Sequence, residues 1–227
     1  MRLCKWDELP EKMRAQDVLP YYEILRKKKV QLFLKRNFDV LVSSIMLFCL
    51  SPVFLALAIA IKLDSSGPVF FRQVRVTQYG REFRIHKFRS MVDNADKKGT
   101  SVTAHNDVRI TKVGRFIRDY KLDELAQFID VWLGNMTFVG TRPEVPKYVS
   151  QYTTEMWATL LLPAGITSTA SVTYKNEEDI LARAVDVDKT YIEKVLPAKM
   201  QYNLQDIKEF SIWRDIQLMW KTFFAVV

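Results

Sequence analysis

The longest apolar stretch of the chain reads NFDVLVSSIMLFCLSPVFLALAIAI over residues 37–61, and Asp39 is its single charged residue. A straight helix of this length would measure about 37 Å, enough to cross the roughly 30 Å hydrocarbon core of a bilayer. Ser51-Pro52 interrupts the stretch, because proline lacks an N–H and its ring clashes with the carbonyl of Phe48, four residues earlier. A serine hydroxyl beside such a break can bond to a freed carbonyl. We therefore predict a helix that is broken at Ser51-Pro52.

Positive charge flanks the apolar stretch on both sides. Lysines and arginines are abundant in residues 1–36, and seven more lie in residues 62–92. Because positively charged flanks tend to stay on the cytoplasmic side, neither flank is expected to cross a membrane. The favoured interpretation is a re-entrant membrane helix over residues 37–62 that enters one leaflet and returns. A single membrane span and a helix buried in the protein core are the alternatives.

The composition limits the classes of function. The chain has 227 residues, a net charge of +8, two cysteines and two histidines. Two cysteines cannot form a disulfide framework, and so few histidines exclude a histidine-rich metal centre. The excess of positive charge favours polyanionic partners, such as anionic membrane lipid or phosphorylated substrates. No recognition motif for nucleic acid is present, and the apolar stretch argues against a nucleic-acid partner.

The chain divides into three parts. Residues 1–36 are predicted to be a basic, amphipathic N-terminal segment with a helix or helix pair broken near Pro20. The re-entrant helix follows at 37–62, and residues 63–227 are predicted to form a cytoplasmic domain. The last helix of that domain carries tryptophans beside basic residues, a pattern that favours the membrane interface, although it is also compatible with a helix that closes the core.

Local patterns in the third part indicate a mixture of strands and helices. They predict strands at 68–77 and 82–89 joined as a hairpin, a polar loop at 93–110, helices at 114–133, 144–162 and 188–206, a short strand near 168–174, and an acidic helix from Asn176. The predicted fold class is therefore α/β and mostly helical.

Asp123 and Glu124 are adjacent carboxylates in a basic neighbourhood. Such a pair can hold Mg²⁺, which prefers carboxylate oxygens together with substrate phosphates. One of the carboxylates can instead attack phosphorus, as in enzymes that form an aspartyl phosphate. An ordinary solvated helix face is the alternative.

Two cations are candidates for binding phosphate beside this pair. Lys87 lies in the second predicted strand, and Arg142 lies in a stiff loop between Thr141 and Pro143. An arginine fixed in this way suits a bidentate grip on phosphate, although a structural ion pair with Glu144 is equally compatible with the sequence. Together with the apolar stretch, these residues suggest phosphoryl chemistry on a membrane-bound acceptor.

Four motifs identify a resemblance to a known family. They are Ser-Pro at 51–52, HKFRSM at 86–91, LDEL at 122–125 and GTRPE at 140–144, in this order. In combination they resemble the bacterial sugar transferases, which are monotopic polyprenyl-phosphate phosphoglycosyl transferases. The resemblance is strong over about residues 35–174 and looser towards the C-terminus.

The resemblance implies a small catalytic domain on the cytoplasmic face of the bacterial inner membrane, anchored in one leaflet. The implied reaction moves a sugar 1-phosphate from a UDP-sugar to undecaprenyl phosphate, releases UMP and begins the assembly of a glycan. Asp123 would be the nucleophile that carries a covalent phosphosugar, and Glu124 would assist with Mg²⁺ or with proton handling. The implied phosphate-binding residues are Lys87, Arg118 and Arg142, together with Gln73 and Arg75 of the strand motif.

Some positions depart from the family pattern, and they affect the prediction of the donor. Thr141 stands where many relatives have proline, and Ser168 stands where many have glycine. The second departure lies in a region suspected of contacting the nucleotide or the sugar, so the sequence predicts neither the sugar nor the glycan pathway. A homodimer is left open. A different class of function, a non-catalytic membrane scaffold that binds anionic lipid, would make Asp123 and Glu124 dispensable.

Overall fold

A computed structural model describes residues 1, 3–93, 108–174, 181, 184 and 186–226. Most of the predicted polar loop at 93–110 and the start of the predicted acidic helix at Asn176 lie outside these residues. The strands are β1 (Phe70–Val76), β2 (Glu82–Phe88), β3 (Met136–Val139) and β4 (Ala164–Thr167). The helices are α1 (Leu19–Lys27), α2 (Lys29–Cys49), α3 (Ser51–Asp64), α4 (Lys112–Asp119), α5 (Gln127–Leu133), α6 (Pro146–Val149), α7 (Thr169–Thr173), α8 (Val187–Thr190), α9 (Leu196–Lys208) and α10 (Ile212–Val226). The predicted fold class, α/β and mostly helical, is confirmed.

Helices α2 and α3 form a bent pair whose axes differ by 60°. None of the described helices is long and apolar enough to cross a membrane by itself, whereas this pair reaches the required length and composition together. The break falls at Leu50, and Ser51 Oγ donates a 2.8 Å hydrogen bond to the carbonyl of Phe48. Pro52 lies in the first turn of α3, where a missing N–H removes no intrahelical bond. The predicted break at Ser51-Pro52 is confirmed.

Large apolar side chains cover the outer surface of the bent pair. They include Leu41, Ile45 and Phe48 on α2 and Val53, Leu55, Ile59 and Leu63 on α3. A helix buried in the protein core would hide these side chains, so the exposure contradicts that alternative.

The opposite face of α2 carries buried polar side chains that attach it to the rest of the protein. Lys35 is almost fully buried and donates hydrogen bonds to the carbonyl of Val139, at 2.9 Å, and to Asp215 Oδ2, at 2.5 Å. One turn later, Asp39 accepts a 2.7 Å hydrogen bond from Thr137 Oγ1. A buried charge needs such partners because losing water is costly. These contacts therefore fix α2 against β3 and α10.

The end of α3 is attached to the elements that carry the candidate site. The buried guanidinium of Arg89, just after β2, donates 2.7 Å hydrogen bonds to the carbonyls of Ser65 and Ser66. Asp64 accepts a 2.9 Å hydrogen bond from the backbone N–H of Val113 in the first turn of α4. An acidic side chain at this point favours the helix, since it satisfies an N–H that lacks an intrahelical partner. The bent pair is therefore linked to both β2 and α4.

Each of the two sheets in the described part of the chain has two strands. β1 and β2 are antiparallel with Arg72 opposite His86, which confirms the predicted hairpin. β3 and β4 are parallel, and the chain just after β3 runs very close to β4. A Cβ atom on Gly165 would lie only 2.2 Å from the backbone of Gly140, so this approach requires glycine. The N–H of Gly140 donates to the carbonyl of Thr167 at 2.9 Å.

The N-terminal segment packs into the largest apolar core. Its buried side chains, Leu9, Met13, Val18, Tyr21, Tyr22 and Leu25, share a cluster with side chains of α9 and of the 3₁₀ turn Glu155–Leu161. The break between its helices lies at Lys28 and not near Pro20, as the sequence suggested. Pro20 instead lies in the first turn of α1, where proline is tolerated.

Two predictions of secondary structure need correction. The predicted helix at 114–133 is divided, because Lys121 adopts a left-handed conformation with φ of 54°. The predicted strand near 168–174 is wrong, since this segment forms α7. Ser168 Oγ accepts a hydrogen bond from the N–H of Ser171 and caps the helix, while Thr169 Oγ1 donates to Asp206 at 2.7 Å. These contacts outweigh the strand preference of the threonines and valine.

Two further helix predictions hold in part. The predicted helix at 144–162 is reduced to α6 and the 3₁₀ turn Glu155–Leu161. The predicted helix at 188–206 corresponds to α8, a π-helical turn at Tyr191–Val195, and α9, which has Pro197 in its first turn.

We expect Lys35→Met to lower the free energy of unfolding by about 3 kcal/mol, because it leaves the partly buried carboxylate of Asp215 and the buried carboxylate of Asp39 without their cation. Lys35→Met/Asp215→Leu should recover part of this loss, since the double variant removes the unpaired charge of Asp215 and leaves only that of Asp39. Unfolding by urea in detergent micelles measures both effects. The exposed Lys27→Met is the matched control, and equal losses in the single and double variants would contradict the account.

Candidate active site

Asp123 and Glu124 lie in a 3₁₀ turn, Leu122–Ala126, that connects α4 to α5. Lys121 has a left-handed backbone conformation, which follows α4 and turns the chain before the acidic pair. Leu122 and the buried Ala126 pack into an apolar cluster with Phe88 of β2. The apolar side of the turn is thus held against β2, and its two carboxylates lie beside Lys87.

Glu124 forms ion pairs with two cations from distant parts of the sequence. Lys87 Nζ lies 3.1 Å from Glu124 Oε1. Arg142 donates to both carboxylate oxygens of Glu124. Burial alone would raise the pKa of Glu124, but the two cations outweigh this effect and hold its pKa well below the usual range. Glu124 is therefore an ionised group that fixes both cations.

Asp123 is in a different electrostatic state. Its Oδ2 lies 3.9 Å from Lys87 Nζ, a looser contact than those of Glu124. Burial raises the pKa of the Asp123 carboxyl, and the charge of Glu124 also raises it, while Lys87 and Arg118 oppose the rise. The Asp123 side chain keeps 17% of its surface exposed. This carboxylate is therefore reachable and less neutralised than its neighbour.

Arg142 reaches the site from the loop that follows β3. The loop is fixed to β4, since the N–H of Gly165 donates to the carbonyl of Thr141 at 2.8 Å. The sequence left open an ion pair of Arg142 with Glu144, and the structure instead pairs Arg142 with Glu124. Glu144 is buried elsewhere: it accepts a 2.5 Å hydrogen bond from the hydroxyl of Tyr191.

Gln73 and Arg75 lie on β1, and Arg75 contacts the same loop. Arg75 donates hydrogen bonds to Gln73 Oε1, the shorter at 2.6 Å, and one of 3.0 Å to the carbonyl of Pro143. Burial lowers the pKa of Arg75 from its usual value. In this conformation the two residues hold the loop of Arg142.

The structure thus brings four of the sequence-predicted residues into direct contact: Lys87, Asp123, Glu124 and Arg142. Arg118 lies close enough for its charge to lower the pKa of Asp123. Gln73 and Arg75 adjoin them through the loop, whereas Ser51 and Pro52 lie in the bent helix pair. Sequence reasoning missed the supporting contact of Glu144 with Tyr191, because the two residues are 47 positions apart. It also missed the pair of His86 and Asp130, in which each residue lies close in sequence to a predicted site residue.

A family model described as bacterial sugar transferase matches residues 30–227. The chain belongs to this family. The resemblance that the four motifs predicted is therefore confirmed, and the match includes the whole acidic pair and all five cationic and amide residues around it.

Several relatives in this family carry names that state a reaction. A UDP-N-acetylgalactosamine-undecaprenyl-phosphate N-acetylgalactosaminephosphotransferase of Aeromonas hydrophila is 39% identical over 194 residues, which are 84% of this chain and 43% of the relative. A UDP-glucose:undecaprenyl-phosphate glucose-1-phosphate transferase of Escherichia coli (strain K12) is 35% identical over 218 residues, 94% of this chain and 44% of the relative. An undecaprenyl-phosphate galactose phosphotransferase of Salmonella typhimurium is 32% identical over 210 residues, 86% of this chain and 40% of the relative. The chain spans less than half the length of these relatives.

The acidic side chains of this sugar transferase can be compared with the ligands that the predicted Mg²⁺ site needs. Within the described residues, no group of three or more histidine, cysteine or acidic side chains is placed to hold a metal ion. Both oxygens of Glu124 already accept from cations, which leaves Asp123 as the carboxylate with room for a further ligand. Mg²⁺ is commonly held by one or two carboxylates together with substrate phosphates. The donor set therefore fits the ion through Asp123 more readily than through Glu124.

We expect Glu124→Gln to lower the pKa of Asp123. The substitution removes a negative neighbour, and it frees the ammonium of Lys87 to pair with Asp123 instead; both changes favour the ionised carboxylate. The carboxyl ¹³C shift of labelled aspartate, assigned with Asp123→Asn, measures the pKa during a pH titration. Glu193→Gln, an equal change of charge at an exposed position, should leave the value unchanged. A higher pKa in Glu124→Gln would contradict this electrostatic account.

Proposed function

We propose that this protein transfers a sugar 1-phosphate from a UDP-sugar to undecaprenyl phosphate, giving undecaprenyl diphosphate-sugar and UMP. Membership of the bacterial sugar transferase family supports the class of reaction, and the names of the relatives support both substrates. The observation that carries the proposal is the contrast in ion pairing within the acidic pair: Glu124 closely contacts two cations, whereas Asp123 lies 3.9 Å from Lys87.

In the first step, the Asp123 carboxylate attacks the phosphorus that carries the sugar. A new bond forms between a carboxylate oxygen and phosphorus, and the bond from phosphorus to the bridging oxygen breaks, so UMP leaves with that oxygen. Attack by an anion on a diphosphate needs positive charge at the site, which Lys87, Arg118 and Arg142 supply. Glu124 keeps two of these cations in place, and Arg75 with Gln73 supports the loop of Arg142.

In the second step, a phosphate oxygen of undecaprenyl phosphate attacks the phosphorus of the aspartyl phosphosugar. The bond between Asp123 and phosphorus breaks, and the carboxylate returns to its starting state. Two dissimilar substrates then use one nucleophile in turn, which is the advantage of covalent catalysis. Mg²⁺, held by Asp123 and by substrate phosphates, would supply additional neutralisation of the diphosphate.

The bent pair α2–α3 supports a location at the membrane. Both limbs expose apolar side chains, both flanks are positive, and a re-entrant arrangement keeps the two flanks on the cytoplasmic side. Helix α10 adds exposed aromatic side chains beside Lys221, as expected for a helix at the membrane interface: Trp213, Trp220, Phe223 and Phe224. The isoprenoid tail of the acceptor would lie in the leaflet while its phosphate reaches Asp123. As the first transfer onto a lipid carrier, this reaction would initiate glycan assembly.

Asp123→Asn should abolish UMP release, because the neutral amide cannot form the phosphosugar bond. The assay uses the purified chain in detergent with undecaprenyl phosphate, Mg²⁺ and a panel of UDP-sugars that includes glucose, galactose and N-acetylgalactosamine. Asp119→Asn, the same change at an exposed position four residues away, should retain full activity. Incubation with the UDP-sugar alone should add the mass of one phosphosugar to the wild-type chain and none to Asp123→Asn.

Two results would count against this mechanism. Turnover by Asp123→Asn would exclude Asp123 as the nucleophile. Silence of the folded wild-type chain across the whole panel, with unchanged binding to anionic vesicles, would favour the non-catalytic scaffold.

Pro52→Ala should straighten the bent pair and convert part of the population from the re-entrant form to a membrane span. Single cysteines at Lys5 and Lys62, in a chain without Cys4 and Cys49, report the topology through labelling by an impermeant maleimide in sealed vesicles. Both positions should be labelled from one side in the parent chain and from opposite sides in part of Pro52→Ala. Val53→Ala is the control that keeps the proline. Unchanged labelling in Pro52→Ala would show that proline does not determine the re-entrant form.

A further inference from the structure

His86 and Asp130 form a buried pair next to the candidate active site. Asp130, on α5, has no exposed surface, and His86, on β2, keeps 12% of its side chain exposed. The ring Nδ1 of His86 lies 2.9 Å from Asp130 Oδ1, and the backbone N–H of His86 donates to Asp130 Oδ2 at 2.7 Å. Residue 86 thus provides a hydrogen-bond partner for each oxygen of a carboxylate that is removed from water.

The two partners lie on the two elements that carry the opposite charges of the site. His86 immediately precedes Lys87 on β2, and Asp130 lies on α5, which continues directly from the 3₁₀ turn of Asp123 and Glu124. A hydrogen bond to the backbone of residue 86 fixes the strand itself, one residue before Lys87. Because a buried carboxylate that loses its donors is costly, the pair resists any movement of β2 away from α5.

The other side of the His86 ring is also held. It packs edge-to-face against Phe70, with ring centroids 5.8 Å apart, and Phe70 packs against Phe88. Phe54 of α3 contacts Phe88 in turn, so a chain of aromatic rings runs from the bent helix pair to His86. The imidazole is therefore confined between apolar rings and a buried carboxylate.

We propose that His86 and Asp130 are positioning residues that set the distance from the Lys87 ammonium to the carboxylates of Asp123 and Glu124. The catalytic consequence rests on the function proposed above, whereas the geometric claim does not. Lys87 contacts both carboxylates at 3.1 to 3.9 Å. A small displacement of β2 would lengthen these contacts and weaken the neutralisation that the first step needs.

The first test measures geometry without turnover. The full chain in detergent micelles is acylated with N-hydroxysuccinimide acetate, and mass spectrometry follows each lysine. Lys87 should react severalfold faster in His86→Phe and in Asp130→Ala than in wild type, because its ammonium is released from the carboxylates. His86→Asn should restore the wild-type rate, since an asparagine N–H can donate from nearly the same place as the imidazole Nδ1–H. The buried Lys35 must stay unmodified and reports an intact fold.

If Asp130→Ala fails to fold, the comparison of His86→Phe with His86→Asn decides the question. Equal rates for Lys87 in wild type and His86→Phe, with Lys35 protected, would overturn the proposal. Equal acceleration in His86→Phe and His86→Asn would also overturn it, because the hydrogen bond would then be irrelevant.

The second test asks whether the pair acts through Lys87. We expect His86→Phe to lower kcat/KM for UMP release by about tenfold, on the order seen for contacts within one network. In a Lys87→Met background the same substitution should have little further effect, whereas a general loss of stability would cost the same factor in both backgrounds. Equal losses would overturn the positioning role. An absence of UMP release by wild type, combined with the expected labelling, would reject the proposed function and leave the geometric claim supported.

Discussion

The Glu124 carboxylate between Lys87 and Arg142 is the interaction on which the candidate site depends. It joins β2, the 3₁₀ turn after α4 and the loop after β3. Without this carboxylate, the positive charges of Lys87 and Arg142 would face each other. The two cations offset the cost of burying the Glu124 carboxylate, so its ionised form is strongly favoured. Asp123, beside it, shares Lys87 at a longer distance and is left as the carboxylate with chemical freedom. Two adjacent carboxylates are thus in different electrostatic states because of their neighbours.

The same principle attaches the bent helix pair to the site. Lys35 and Arg89 are buried cations that must find oxygen partners, and those partners lie on different elements. Lys35 holds α2 against β3 and α10, while Arg89 holds the end of α3 next to β2. The apolar surface of the pair therefore has a fixed orientation relative to Asp123. If that surface enters one leaflet, the depth of the carboxylate is set by these two side chains.

Local rules predicted the parts of the structure that local forces determine. Proline chemistry located the break at Ser51-Pro52, and alternation of side chains located the β1–β2 hairpin. The four motifs located the acidic pair and its cations. The failures have physical causes: nothing in the sequence marks Lys121 as left-handed, and the contact of Thr169 with Asp206 makes a helix of residues that prefer strands. Partners such as Glu144 and Tyr191 are joined only by the tertiary fold.

The close approach of Gly140 and Gly165 links the position of the Arg142 loop to β4. The segment after β3 carries Arg142, β4 leads into α7 at Ser168, and two backbone hydrogen bonds join the two segments. Substitutions that only exchange side chains on β4 leave the reach of Arg142 intact. A larger residue at Gly140 or Gly165 would push the two backbones apart and displace the loop that carries Arg142. The crossing therefore constrains the spacing of the two backbones and not the side chains that flank them.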